Sequence, residues 1–110
     1  MNTPMQIIDN RHGMNEPLRV RFESYRNGQR AILLETLEGE PWTDVTRAVQ
    51  VPVPTGCVAV KDYSENEGLL AVLIEGGVLE PDPVGSIPSG FVRLPVHRLT
   101  RTALALAEGA

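Results

Sequence analysis

The stretch LRVRFESYRNGQRAILLETL, residues 18–37, decides the fold class. Apolar and charged residues alternate along its first six positions, which are Leu18, Arg19, Val20, Arg21, Phe22 and Glu23. Strict alternation is the pattern of a β-strand with one buried face. The Asn27–Gly28 pair then favours a type I′ hairpin turn, after which residues 30–37 return as a second strand. The stretch therefore predicts an antiparallel hairpin.

The segments after the hairpin extend this sheet. Residues 42–51 are predicted as a third strand, with Trp42 in the core, and residues 57–60 as a short buried strand. Residues 81–90 contain three prolines and two glycines, so we expect a loop there. Residues 91–96 form the last predicted strand. Because proline lacks a backbone donor, Pro95 should place this strand at a sheet edge or break it by a bulge.

One amphipathic helix is expected between the last two strands. Ser64 and Glu67 have the spacing of a capping box, in which the serine side chain caps the helix and the glutamate reaches back. Apolar residues then recur at helical spacing, at Leu69, Leu70, Leu73 and Ile74. Gly76–Gly77 should end the helix after about three turns.

These elements predict an α+β domain, with a mostly antiparallel meander of about four to six strands and one helix packed on one face. The domain is expected to span residues 18–99. Residues 1–17 lack a sustained period and are predicted as a mobile N-terminal arm, with room for one short docked strand. Residues 100–110 are predicted as a C-terminal tail that forms a short helix or frays.

Composition narrows the classes of function. The chain has 110 residues and a net charge of −4, and its ten cations are scattered, which argues against a nucleic-acid-binding protein. A single cysteine excludes an intramolecular disulfide and a cysteine-based metal cluster. There is no apolar leader or membrane-spanning run, so a cytoplasmic protein without a membrane partner is expected. No cofactor is expected either.

The densest polar segment, residues 61–68, is the predicted contact surface. The side chains expected to bind a protein partner are Asp62, Tyr63, Glu65, Asn66 and Glu67. An alternative is a metal-dependent enzyme that uses Asp62, Glu65 and Glu67. The segment has neither the alternating ligands nor the sharp glycine turn of a metal loop, and carboxylates in the first turn of a helix also complement its dipole.

Two further sets of residues carry possible chemistry. Arg19 and Arg21 share one strand face, which suggests a nucleic-acid-binding regulator as a second alternative, for which a homodimer paired through the Pro95 edge is one arrangement. Cys57 is a possible nucleophile with His97 or His12 as its base, but it lies in an apolar run where a free cysteine behaves as a small hydrophobe. The prediction is therefore that the chain is not an enzyme.

Three segments resemble a known family. They are Tyr25–Gly28 followed by Ala31–Ile32, the stretch Lys61–Leu70, and Ser89–Val92. The family is a domain of unknown function encoded largely on bacterial plasmids, conjugative elements and phages. The resemblance implies a genetic setting and no activity. Small acidic proteins of mobile elements often block host defence complexes, so we expect an inhibitor of the anti-CRISPR or anti-restriction type, with a host protein or nucleoprotein complex as its partner.

Overall fold

The computed structural model describes residues 5–109, which form two antiparallel sheets and two α-helices, so the α+β prediction is confirmed. The elements are β1 (Met5–Asp9), β2 (Glu16–Ser24), β3 (Arg30–Thr36), β4 (Pro41–Asp44), β5 (Cys57–Ala59), a 3-10 turn (Ser64–Asn66), α1 (Leu69–Glu75), β6 (Leu79–Ser89), β7 (Val92–Leu99) and α2 (Arg101–Glu108). The strand orders are β1-β2-β3-β4 and β5-β7-β6. Residues 1–4 of the predicted arm and residue 110 of the tail lie outside the described part.

The hairpin of β2 and β3 forms as predicted, with Val20 opposite Leu34 and both side chains buried. Its turn differs from the predicted type. The Gly28 N–H donates to the carbonyl of Tyr25 at 2.9 Å, and Gly28 has a φ of +86°. Asn27 does not share a positive φ, so the type I′ prediction is wrong. Gly28 alone supplies the left-handed residue, which glycine adopts without steric cost.

The N-terminal segment contains the short docked strand for which the sequence left room. β1 pairs with β2, with Ile7 opposite Leu18. Ile7 is buried, and a Cβ atom at Gly76 would lie only 2.6 Å from its Cγ2 atom. Residues 5–9 are therefore an edge strand held against the end of α1, and not a mobile arm.

The third predicted strand is shorter than expected, because β4 ends at Asp44 and not at residue 51. Beyond it the chain crosses to the second sheet. The Val45 N–H donates to the carbonyl of Ile32 at 2.9 Å, and Thr46 forms an isolated bridge with Val60. Residues 45 and 46 therefore link the two sheets, and the loop that follows them is not part of the four-stranded sheet.

The segment predicted as a loop, residues 81–90, lies mostly within β6. Its prolines are compatible with a strand because β6 is an edge strand that pairs on one side only, with β7. The predicted loop is therefore wrong, because an edge strand can place the nitrogen of a proline on its unpaired side.

The final strand is also placed differently, because β7 lies in the centre of its sheet and not at an edge. The Val60 N–H donates to the carbonyl of Pro95 at 2.9 Å, and Pro95 has no N–H to return the bond. The missing bond falls just beyond the end of β5, where the ladder stops. Proline is tolerated there, and a dimer paired through a Pro95 edge is excluded.

The helix α1 has two turns and not three. It begins after Gly68, which has a φ of +86°, and no capping-box bond from Ser64 is present. The predicted capping box is therefore wrong; the Oδ1 atom of Asp62 instead accepts a hydrogen bond of 3.0 Å from the Leu70 N–H. Gly76 caps the end of the helix, as predicted.

Two apolar cores hold the elements together. The larger core lies between the two sheets and the helices, and its buried residues include Leu18, Ile32, Leu34, Val58, Val60, Leu69, Leu73 and Leu99. The smaller core lies on the other face of the three-stranded sheet and contains Val49, Cys57, Ala59, Ile87, Leu94 and Val96. None of the helices within residues 5–109 is long and apolar enough to cross a membrane.

Candidate binding surface around Trp42

The five predicted contact residues do not all face solvent. Glu65 and Glu67 are exposed, whereas Asp62 and Tyr63 are half-buried. Asn66 is fully buried, so its prediction as a contact residue is wrong. Its Nδ2 atom donates to the carbonyl of Asp44 at 2.7 Å, and its Oδ1 atom accepts from the Thr43 hydroxyl at 2.7 Å. Asn66 therefore connects the polar segment, residues 61–68, to β4 by two hydrogen bonds.

The two half-buried residues also have structural partners. Asp62 caps α1, as described above. The Tyr63 hydroxyl accepts a hydrogen bond from the Arg47 guanidinium, and the ring packs against the smaller core. The carboxylates of Glu65 and Glu67 are thus the part of the predicted set that presents charge to solvent.

The backbone of these two glutamates is held by a buried ion pair that the sequence did not predict. The Asp9 carboxylate accepts two hydrogen bonds from the Arg11 guanidinium, at 2.9 and 2.8 Å, and one from the Arg11 backbone N–H at 3.1 Å. Arg11 also donates to the backbone carbonyls of Glu65 at 3.0 Å and Glu67 at 3.4 Å. The hydrogen bond from Arg11 lowers the pKa of Asp9 to about 2, although burial opposes the shift. The pair ties β1 to the polar segment.

Trp42 completes this network. Thr43 pairs with Leu34 and Pro41 with Glu35, so Trp42 is the additional residue of a β-bulge. A bulge redirects a side chain that would otherwise follow the alternation of the strand. The indole Nε1–H donates to Asp9 at 3.1 Å, and 38% of the residue stays exposed. The prediction that Trp42 is a core residue is therefore wrong.

Trp42 lies between the linings of two shallow grooves and contributes to both. One is lined by Arg11, His12 and Asn66, and the other by Leu33, Asp44 and Lys61. Trp42 and Glu65 border both. We call Trp42, Asp44, Glu65 and Glu67 the Trp42 surface.

Electrostatics on this surface are mildly acidic. Lys61 lies 3.6 Å from the carboxylate of Glu65. The pKa of Glu65 lies below its usual range because the carboxylate accepts hydrogen bonds from its own backbone N–H and from Ser64, with Lys61 nearby. Glu65 is therefore ionised at neutral pH, as a charged contact requires.

The structure does not bring the alternative site residues together. Asp62 caps α1, Glu65 lies near Lys61, and within residues 5–109 no group of three or more metal-ligating side chains is found. The Arg19 guanidinium lies 3.8 Å from Glu35 and donates to the carbonyl of Leu37, while Arg21 lies 2.6 Å from Glu23. Acidic neighbours therefore offset the charge of the predicted basic stripe.

Cys57 and His97 are both buried, but they lie on opposite faces of the three-stranded sheet. Cys57 pairs with Arg98, and His97 pairs with Val58, one position further along. Neighbouring strand residues point to opposite faces. His97 Nδ1 lies 2.8 Å from the carbonyl oxygen of Glu80. This histidine is therefore a buried residue of the opposite face, and it does not serve Cys57 as a base.

A second exposed aromatic residue lies away from the Trp42 surface. Phe91 lies at the turn between β6 and β7, next to Gly90 with a φ of +61°, and its side chain is fully exposed. Glycine at the first central position is typical of a two-residue hairpin turn. The sequence predicts Phe91 inside the last strand, because its apolar character extends the strand pattern by one residue.

Comparisons of the chain with protein-family models, with curated proteins and with solved structures found no match. The resemblance of residues 25–28, 61–70 and 89–92 to a mobile-element family therefore remains a prediction.

Proposed function

We propose that this protein is a non-catalytic protein-binding factor that uses the Trp42 surface to occupy a basic groove of its partner. The observation that carries the proposal is the position of Trp42. The indole is held by a buried carboxylate, stays partly exposed, and borders the exposed carboxylate of Glu65.

This arrangement has the properties of an interaction centre. Tryptophan is among the residues that most often dominate binding energy at protein interfaces. A side chain already fixed in place loses little conformational entropy on binding. Carboxylates at the rim favour approach to a positively charged patch, and they raise the association rate more than the affinity.

The biological setting in the proposal rests on the resemblance and on size and charge. A small domain of net charge −4 from a mobile element is suited to blocking a groove that normally holds nucleic acid. We therefore propose, as the most concrete form, an inhibitor of a host nuclease or CRISPR effector complex that acts in the cytoplasm.

An affinity capture experiment tests this proposal. Tagged wild-type protein and the variants Trp42→Ala and Glu65→Lys/Glu67→Lys are incubated with bacterial host lysate, and retained proteins are identified by mass spectrometry. The matched control is Glu75→Lys/Glu108→Lys, which reverses two exposed charges at helix ends and changes the net charge equally.

We expect wild type and control to retain the same nuclease or effector complex and both surface variants to lose it. The purified partner should then cleave DNA more slowly when wild-type protein is added. Equal retention by all four proteins would contradict the surface assignment, and a retained partner whose DNA cleavage is unaffected would contradict inhibition.

A further inference from the structure

The groove on the Asp44 side of Trp42 has an unusual balance of charges. Within residues 5–109, the ion pairs along its lining are Arg21 with Glu35 at 3.5 Å and Lys61 with Glu65 at 3.6 Å. Asp44 is exposed and has no cationic side chain within 4.0 Å among the same residues. One carboxylate in the groove is therefore left without a counter-charge.

The remaining walls of the groove are suited to a flat cation on a flexible stem. Leu33 lies opposite Asp44 in the β3–β4 ladder and contributes an apolar wall. The polar edge of the Trp42 indole is already bonded to Asp9, so its exposed part is mainly carbon framework. Aromatic faces attract cations, and planar guanidinium groups stack on them.

We propose that this groove binds an arginine side chain of the protein partner, with the guanidinium stacked on Trp42 and paired with the carboxylate of Asp44. This inference rests on the proposed function, because it names the group that the Trp42 surface recognises. Guanidinium matches a carboxylate with two parallel N–H donors, whereas a lysine ammonium offers one strongly hydrated point charge. Arginine should therefore bind in preference to lysine.

Fluorescence offers a direct test, because Trp42 is the single tryptophan of the chain. The full-length protein is titrated with blocked tri-arginine, tri-lysine and tri-citrulline peptides while Trp42 emission is recorded. Citrulline keeps the planar shape of arginine but has no charge. The variant Asp44→Asn removes the proposed partner, and Asp82→Asn is the matched control, because Asp82 is also exposed and lies on the distant strand β6.

We expect saturable binding of tri-arginine, at least about fivefold weaker binding of tri-lysine, and no saturation with tri-citrulline. Asp44→Asn should weaken tri-arginine binding about tenfold, and Asp82→Asn should leave it unchanged. Equal affinity for arginine and lysine, equal behaviour of the two variants, or absence of saturation at millimolar peptide would each overturn the proposal.

The peptide and capture experiments fail independently. Capture of a partner that depends on Trp42, without peptide binding, would leave the proposed function standing and remove the arginine assignment. Arginine binding that depends on Asp44, without a captured partner, would support the arginine site in the groove and count against the proposed function as a nuclease inhibitor.

Discussion

The guanidinium of Arg11 lies 2.8 Å from the carboxylate of Asp9, and the two side chains are only 9% and 1% exposed. This ion pair joins three parts of the molecule that are distant in sequence. Asp9 belongs to β1 and also accepts from Trp42, while Arg11 reaches the carbonyls of residues 65 and 67. The pair therefore positions Trp42 and the neighbouring acidic turn together.

Removing one partner of this pair should destabilise the fold. Arg11→Met leaves the Asp9 carboxylate buried without its counter-charge, so we expect a loss of about 3 kcal/mol in the free energy of unfolding. Urea denaturation measures this value. The control is Glu23→Gln, which breaks the exposed ion pair with Arg21 and should cost at most about 1 kcal/mol. Similar losses of unfolding free energy in both variants would show that the buried pair stabilises the fold no more than the exposed pair does.

Stability should also depend on pH through Asp9. The pKa of its carboxyl falls from the usual 3.8 to about 2 on folding, so ionised Asp9 stabilises the folded state above pH 4. This contribution, about 2 kcal/mol, decreases as the pH falls from 4 towards 2. Unfolding free energies of wild type and Asp9→Asn, measured across that range, should converge by this amount. A constant difference between the two proteins would contradict the shifted pKa.

Asn66 should matter for stability and not only for binding. Asn66→Ala removes both side-chain hydrogen bonds and leaves the carbonyl of Asp44 and the hydroxyl of Thr43 without this partner. We expect a loss of about 2 to 3 kcal/mol in urea denaturation. Glu67→Gln, at an exposed position one residue away, should stay within about 0.5 kcal/mol of wild type. A smaller loss of unfolding free energy for Asn66→Ala than for Glu67→Gln would favour Asn66 as a surface contact.

The two possible caps of α1 can be separated by substitution. Asp62→Ala removes the acceptor of the Leu70 N–H, so we expect a loss of about 1 kcal/mol. Ser64→Ala should cost less than about 0.5 kcal/mol, because the serine forms no cap bond. Thermal unfolding of both variants measures the difference. A larger loss for Ser64→Ala would favour the capping box that the sequence suggests.

The contact between β1 and α1 leaves no room at Gly76. A methyl group there would lie 2.6 Å from Cγ2 of Ile7, so Gly76→Ala should cost about 1 to 3 kcal/mol by forcing the strand and helix apart. Gly85→Ala is the control, because no heavy atom lies within 4 Å of the added carbon. Equal unfolding temperatures of the two variants would show that β1 is free to move away.

Local pattern was sufficient to predict the β2–β3 hairpin, the buried strand at Cys57 and the end of α1 at Gly76–Gly77. These features follow from side-chain alternation and from the backbone freedom of glycine, both of which are properties of neighbouring residues. Of the candidate site, the sequence located the exposed acidic turn of Glu65 and Glu67. It did not separate these side chains from buried Asn66, because all three are polar residues in one short segment.

Tertiary structure alone decided the rest of the site and two of the strands. A proline predicts a strand break because it lacks an N–H donor, but the missing donor matters only where a neighbouring strand needs it. The prolines of β6 are tolerated because β6 is an edge strand, and Pro95 is tolerated because the ladder to β5 ends beside it. The bonds from Trp42 to Asp9 and from Arg11 to Glu65 span 33 and 54 residues of sequence. A local pattern carries no information on such partners, because they meet only when the sheet and the acidic turn pack together.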